Sequence, residues 1–375
     1  MTTTLSTLDP ALIQWLETHA QGLDEGTTLP AALLPVLGRA GVFSVGVPHS
    51  MNGSGGSIAD AILSVASIAT HSLTAAFVTW GHRTFIEYLL HSPNAALREQ
   101  WLPSLLDGSH AGATGLSNAM KYLGGIESLQ IHAADTEHGL VVNGKLPWVT
   151  NLRPEGFLVA AVAERGSGKD PVILAIAHDA PGVVRSADLD LIAMRSSNTA
   201  AVDLVDVPLD RASIIDEDAL RFLAHVRPAF LGLQCGLSIG LTRRCLNEAR
   251  QAANVLADEI EEIEQRLATA TRHLVEGVSA HTYRAHAAPL FELRIELAEL
   301  ASGAASLEIQ ATGGRGYLHN QPRAVVNATS TRSETPSHEI GAARRWRETA
   351  FIPIVTPSLT QLKAQLARHR AGTAA

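Results

Sequence analysis

The sequence predicts an α+β protein in three parts: an N-terminal helical domain, a central antiparallel β barrel or sandwich, and a C-terminal helical bundle. Three observations predict it. Apolar residues recur at helical spacing through residues 10–109, strand-like segments fill about 110–215, and helical periodicity returns after 217. Domain boundaries are expected at 1–109, 110–217 and 218–375.

The elements follow in order. Pro10 ahead of Leu12, Ile13 and Leu16 opens a first amphipathic helix, and Pro30 ahead of Leu33, Leu34 and Leu37 a second. Gly53, Gly55 and Gly56 make a loop before a third helix that begins at Asp60. Leu73–Leu90 and Ala96–Leu106 complete the helical part. Strand signals then fall at Leu129–His132, Leu140–Val142, Gly156–Val162, Val172–Ala177 and Ala201–Val205, with turns at residues 137–139 and 165–168. Many short strands without long helices between them indicate a barrel or sandwich. In the last part Leu256, Ile260, Ile263, Leu267 and Leu274 form a bundle seam, which Leu290, Leu293, Leu297 and Leu300 repeat. Polar residues 325–342 read as a long loop.

Composition narrows the function. A chain of 375 residues that is 46% hydrophobic has ample material for a large core. A formal net charge of −8 argues against a broad nucleic-acid surface. Cys235 and Cys245 lie ten residues apart on one helical stretch, about 15 Å by helical rise, so they cannot bridge each other. Neither they nor the 16 scattered histidines show metal-ligand spacing, and no metal is expected. The N-terminus lacks a signal-peptide pattern and no apolar run is long enough to span a membrane. A cytoplasmic protein is the expectation.

Five motifs occur in one order: Leu29-Pro30 through Gly55-Gly56; Ala113-Thr114-Gly-Leu-Ser117-Asn118; Val142-Asn-Gly-Lys145 with Trp148-Val-Thr150-Asn151; Arg195-Ser-Ser-Asn-Thr199 with Val207-Pro208; and Gln310-Ala-Thr-Gly313-Gly314-Arg-Gly316-Tyr317. Together they resemble the acyl-CoA dehydrogenase family over about residues 25–363. The resemblance implies that the C-terminal part is a four-helix bundle and that the chain binds FAD, with FMN as the alternative. It implies that Thr114, Ser117 and Thr150 contact the flavin ring edge or pyrimidine and that Trp148 covers a ring face. An indole offers such a face, and residues two apart in a strand share a side. It implies that the Gly313, Gly314 and Gly316 turn meets the cofactor's adenosine portion, often from a neighbouring subunit. A homodimer or homotetramer follows, and a flavin reductase or electron-transfer partner is possible.

Two segments depart from the family pattern. Arg227-Pro-Ala-Phe230-Leu-Gly232 is a degraded version of a pyrophosphate-holding segment. More consequentially, Phe351–Ser358 contains no carboxylate, and Thr356 stands where the family places its catalytic glutamate. A threonine hydroxyl has no accessible pKa for general-base work near neutrality. Glu296 and Glu299 are the conceivable relocated bases.

Three functions stay open. One is a flavin oxidoreductase passing hydride from an acyl thioester or related substrate to flavin. The second is a two-component flavin monooxygenase, using reduced flavin and O₂ through a C4a-hydroperoxide, in which His82, Ser117 and Asn118 supply hydrogen bonds. The third is a non-catalytic flavin-binding descendant. The candidate catalytic set is His82, Ser117, Asn118 and Thr356. Arg344-Arg345-Trp346-Arg347 could hold a phosphate or a partner's carboxylate, with a helix N-terminal region or a subunit contact as the favoured reading.

Overall fold

A computed structural model describes residues 4–28, 30–166, 168–318 and 341–372. Five helices come first: α1 (Pro10–Glu25), α2 (Leu33–Arg39), α3 (Ile58–Ala69), α4 (Leu73–His91) and α5 (Ala95–Leu106). Local chemistry sets their starts. Asp9 accepts from the Ala11 N–H, and Ser57 and Asp60 form a reciprocal capping box for α3. Residues 73–89 of α4 are all buried, so this helix is wrapped by the rest of the fold.

The sheet comprises β1 (Ala111–Thr114), β2 (Ile131–Asp135), β3 (Gly139–Val149), β4 (Phe157–Arg165), β5 (Val172–Ala177), β6 (Val183–Arg185), β7 (Ala200–Asp210) and β8 (Ile214–Asp216), with α6 (Ser117–Leu123) between β1 and β2. Its order is β6-β7-β3-β2-β4-β5-β8, and β1 also pairs with β4. Most pairings are antiparallel, but β4 runs parallel to both β1 and β2. The unbroken apolar run Phe157–Ala163 carries the reason, since a strand covered on both faces needs no polar alternation.

The bundle holds α7 (Ala219–Ala252), α8 (Ala257–Ser279), the single turn α9 (Thr282–Ala285), α10 (Ala288–Thr312), α11 (Ala342–Thr349) and α12 (Leu359–Arg370). Gly232, Gly236 and Gly240 let α3 lie directly on α7; a Cβ on Gly240 would sit 2.0 Å from the Ala66 carbonyl oxygen. Of the expected seam, Ile260, Leu267 and Leu274 are buried. The stretch read as a long loop falls outside the described residues as far as 340, and its last residue, Ala342, opens α11. None of the described helices is long and apolar enough to cross a membrane.

Candidate active site

Thr114 ends β1, and the chain turns through Gly115 and Leu116 into α6 at Ser117. This turn faces the segment between α11 and α12. Ser117 Oγ donates to Thr356 Oγ1 at 3.0 Å, so two half-buried hydroxyls from distant parts of the sequence meet. The Thr356–Pro357 peptide is cis. From α7, Gln234 Nε2 donates to the Thr356 carbonyl at 3.1 Å. From α10, Arg294 donates through Nε to Gln234 Oε1 and through Nη2 to the Ile352 carbonyl, both at 2.7 Å. Arg294 is fully buried, its Nη1 has no partner, and it forms no ion pair among the described residues. Burial pulls its pKa below the usual arginine value. A positive charge therefore lies two hydrogen bonds behind Thr356, with no acid paired to it among the described residues.

Thr114 is bound from α4, where Tyr88 Oη lies 3.0 Å from Thr114 Oγ1. Burial pushes the phenol's pKa upward, so it stays protonated. Thr150 joins a separate hydroxyl chain, with Thr150 Oγ1 3.1 Å from Thr199 Oγ1 and Thr199 Oγ1 2.7 Å from Ser197 Oγ. Trp148 and Thr150 do not share a strand side as expected. The strand ends at Val149, and a register shift between Leu146 and Val149 breaks the alternation. Trp148 is 60% exposed, whereas Thr150 is buried.

His82 is occupied at both nitrogens. Nδ1 accepts the Gly112 N–H at 3.0 Å, and Nε2 lies 2.7 Å from the Leu105 carbonyl, to which it donates. Asn151 Nδ2 completes the knot by donating to the Gly112 carbonyl at 2.9 Å. Burial is the largest cause pulling the imidazole down to about 4, opposed by its bond to Leu105. Asn118 turns toward the α6–β2 connection: Nδ2 donates to Glu127 and to the Ser128 carbonyl, each at 2.8 Å, and Oδ1 accepts from Gln130 N–H. Of the four candidate catalytic residues, the fold brings Ser117 and Thr356 into contact and ties His82 and Asn118 elsewhere.

The carboxylates of the interior are engaged. Glu308 pairs with Arg345, Asp24 with Arg347 at 2.7 Å, and Glu348 with Arg344 at 3.3 Å. Burial raises Glu348 to about 7 despite Arg344. The two conceivable relocated bases lie at the surface, Glu296 beside Arg266 and Glu299 paired with Lys363 at 2.8 Å. The arginines of the basic run are likewise committed inside the chain, which corrects their reading as a phosphate or partner site; only Trp346 of that run is exposed. Arg227 sits inside the bundle with its guanidinium 5.4 Å from the Phe291 ring centroid.

The Gly313–Tyr317 turn closes α10 and packs on α11. It lies nineteen residues beyond Arg294, roughly 28 Å along the helix. One chain thus presents the hydroxyl pair and the glycine turn at opposite ends of α10. Tyr88, Gln234 and Arg294 are not among the candidates the sequence offers, and Thr199 enters there only as the end of a motif. For Gln234 a signal exists, since it is the lone polar residue of the apolar stretch Ala229–Leu237, whereas Arg294 stands between Glu292 and Glu296 and reads as part of a charged face.

The model for the acyl-CoA dehydrogenase N-terminal domain matches residues 12–109. The chain is 24% identical over 331 residues to the probable acyl-CoA dehydrogenase YngJ of Bacillus subtilis, covering 80% of this chain and 84% of that one. It is 27% identical over 187 residues to benzylmalonyl-CoA dehydrogenase of Aromatoleum aromaticum, a match spanning 49% of this chain and about half, 48%, of that relative. The solved structure of glutaryl-coenzyme A dehydrogenase in complex with glutaryl-CoA superposes with a TM-score of 0.82 at 18% identity, covering 100% of this chain and 98% of that one. The family-model match and the likeness along most of the chain point to a class of flavin oxidoreductases. The chain belongs to the acyl-CoA dehydrogenase superfamily of flavoenzymes.

Proposed function

We propose that this protein is a flavin-dependent oxidoreductase that works without a carboxylate base, and that it uses reduced flavin and O₂ to oxygenate its substrate. The observation that carries the reading is the 3.0 Å contact between Ser117 and Thr356, two neutral hydroxyls where the resemblance places a glutamate. Neither can take an α-proton near neutral pH. Both can donate hydrogen bonds to a polar, oxygen-rich species.

The donor set fits a flavin. Trp148 presents an exposed indole face, and Thr114 and Ser117 offer half-buried hydroxyls for a polar ring edge, while Thr150 is buried against Thr199. A bound flavin supplies two-electron chemistry toward a substrate or toward O₂. In the overall reaction one oxygen atom enters the substrate and the other leaves as water, with the flavin's two electrons consumed. The chain's own residues do the rest. Tyr88 fixes the Thr114 hydroxyl, and Gln234 and Arg294 anchor the Thr356 turn. The unneutralised Arg294 favours negative charge near the hydroxyl pair. The aromatic block of Phe77, Trp80, Phe230 and Phe351, with centroids 4.5–5.5 Å apart, keeps water out of the adjoining α4–α7 interface. A second copy of the chain would bring its Gly313–Tyr317 turn to the cofactor, because one chain's own turn is too distant.

The second reading, oxidation of an acyl thioester, is favoured by the likeness to proteins named acyl-CoA dehydrogenases. It needs a base from elsewhere. Glu348 has the right pKa, but it is held by Arg344 and fully buried.

The test mixes flavin-reduced protein with O₂ and follows hydrogen peroxide release. The proposal predicts slow release that Ser117→Ala and Thr356→Val accelerate. Immediate, stoichiometric release that neither variant changes would contradict it.

A further inference from the structure

A cleft of about 430 Å³ opens where the N-terminal helices meet the bundle, on elements that do not carry Ser117 or Thr356. Its lining is of two kinds. Met51, Ile58, Leu90, Pro228, Ala229 and Val278 are apolar, whereas His91, His225, His281 and Arg284 are basic. The one acid is Glu87, only 6% exposed and already satisfied. Arg83 Nη1 donates to one of its oxygens at 2.8 Å, and His91 Nε2 lies 2.9 Å from the other. Burial alone would raise Glu87, but Arg83 and His91 outweigh it and hold the carboxyl down to about 2.

With both imidazoles neutral, an ionised Glu87 sets the tautomers outward from it. His91 gives its Nε2–H to the carboxylate, which leaves Nδ1 an acceptor. His225 Nε2 lies 3.3 Å from that Nδ1 and must donate to it. The lone pair of His225 Nδ1 then ends the chain, without a hydrogen bond to any described residue. Arg284 lies near enough to push the His225 pKa downward, and makes no ion pair among the described residues. The cleft therefore offers an unpaired guanidinium and a protonatable imidazole beside an apolar surface.

We propose that this cleft is a second binding site, for a small organic carboxylate with an apolar body, whose carboxylate meets Arg284 and His225 while its body covers Met51, Leu90 and Ala229. The neutral imidazole chain presents an acceptor to the ligand, so the carboxylate needs His225 Nδ1 protonated. Binding accordingly takes up a proton. The groups that act on it are Arg83, Glu87 and His91 from α4, Arg221 from α7, and His281 and Arg284 beside and within α9. Burial, Arg284, His91 and Arg221 hold free His225 below its usual range, and Glu87 opposes them. The ligand's charge reverses that balance.

The test uses the full FAD-loaded chain with octanoate as probe and octylamine and inorganic phosphate as controls. Titration calorimetry is run at about pH 6 and about pH 8, with imidazole NMR reporting on His225 and His91. Saturable octanoate binding is expected, tighter at the lower pH and accompanied by shifts of both imidazoles. Arg284→Met should weaken it about tenfold, the loss of one charge-assisted contact. Ser279→Trp, at the exposed rim, should block it. Both positions are exposed, so the unfolding midpoint should not move. The proposal is overturned if octanoate leaves the His225 resonances unmoved, if Arg284→Met binds as well as the parent, or if phosphate binds more tightly than octanoate.

Discussion

Two polar regions of this molecule handle charge in opposite ways. The interior shared by α1, α4, α10 and α11 is rich in carboxylates, and each has an arginine: Glu308 with Arg345, Asp24 with Arg347, Glu348 with Arg344, Glu87 with Arg83. The junction of β1, α6 and the turn before α12 has hydroxyls, and behind them an arginine with no acid partner among the described residues. Buried ion pairs hold elements together but leave no carboxylate free to take a proton. Among the described residues no carboxylate of that interior is left unpaired beside Thr356, and the group behind Thr356 is a cation.

The comparison breaks most visibly at the paired region. Glu308→Leu strips the acid from the fully buried Arg345 and should cost about 3–5 kcal/mol in urea unfolding, whereas the double change with Arg345→Met should recover most of it. An equal loss in both variants would mean that packing, not charge pairing, holds α10 to α11.

Acid should act next, through His82. Its pKa is about 4 in the folded protein against the ordinary 6.5. The unfolded chain therefore takes up this proton first, and stability falls as pH drops from 6.5 toward 4, by about 3 kcal/mol in all. Thermal unfolding across that range, compared with His82→Gln, checks it. The variant should lose less stability with acid than the parent. Parallel curves would show that His82 does not titrate as its burial requires.

The hydroxyl pair should matter to chemistry more than to folding. Ser117→Ala and Thr356→Val remove one partly exposed hydrogen bond, about 1 kcal/mol of stability or less, yet should speed peroxide release from reduced protein about tenfold. At the surface, Glu299→Gln should change stability by less than about 0.5 kcal/mol and leave peroxide release untouched. An effect of Glu299→Gln on turnover would revive it as a relocated base.

Much of the fold was legible because periodicity is a local property. The spacing predicts a helix over Leu73–Leu90 and α4 spans Leu73–His91, and the strand signal at Val172–Ala177 coincides with β5. Other features depended on the partner across the chain. The parallel neighbours of β4 are set by topology, and the alternation from Trp148 to Thr150 fails at a register shift that Pro147 marks but whose extent only the pairing with β7 fixes. The site followed the same rule. Thr356 stood out because a carboxylate was missing from its segment, but its contact with Ser117 spans 239 positions and only folding reveals it. His82 read as a candidate hydrogen-bond donor because its partners, Leu105 and Gly112, lie on other elements.

The most direct measurement is anaerobic mixing of FAD-loaded protein with a panel of acyl-CoAs of increasing chain length, recording the visible flavin band. A site whose carboxylates are all paired should leave the oxidised flavin unbleached with every thioester. Rapid bleaching by any of them would contradict the account and show that a carboxylate reaches the substrate after all.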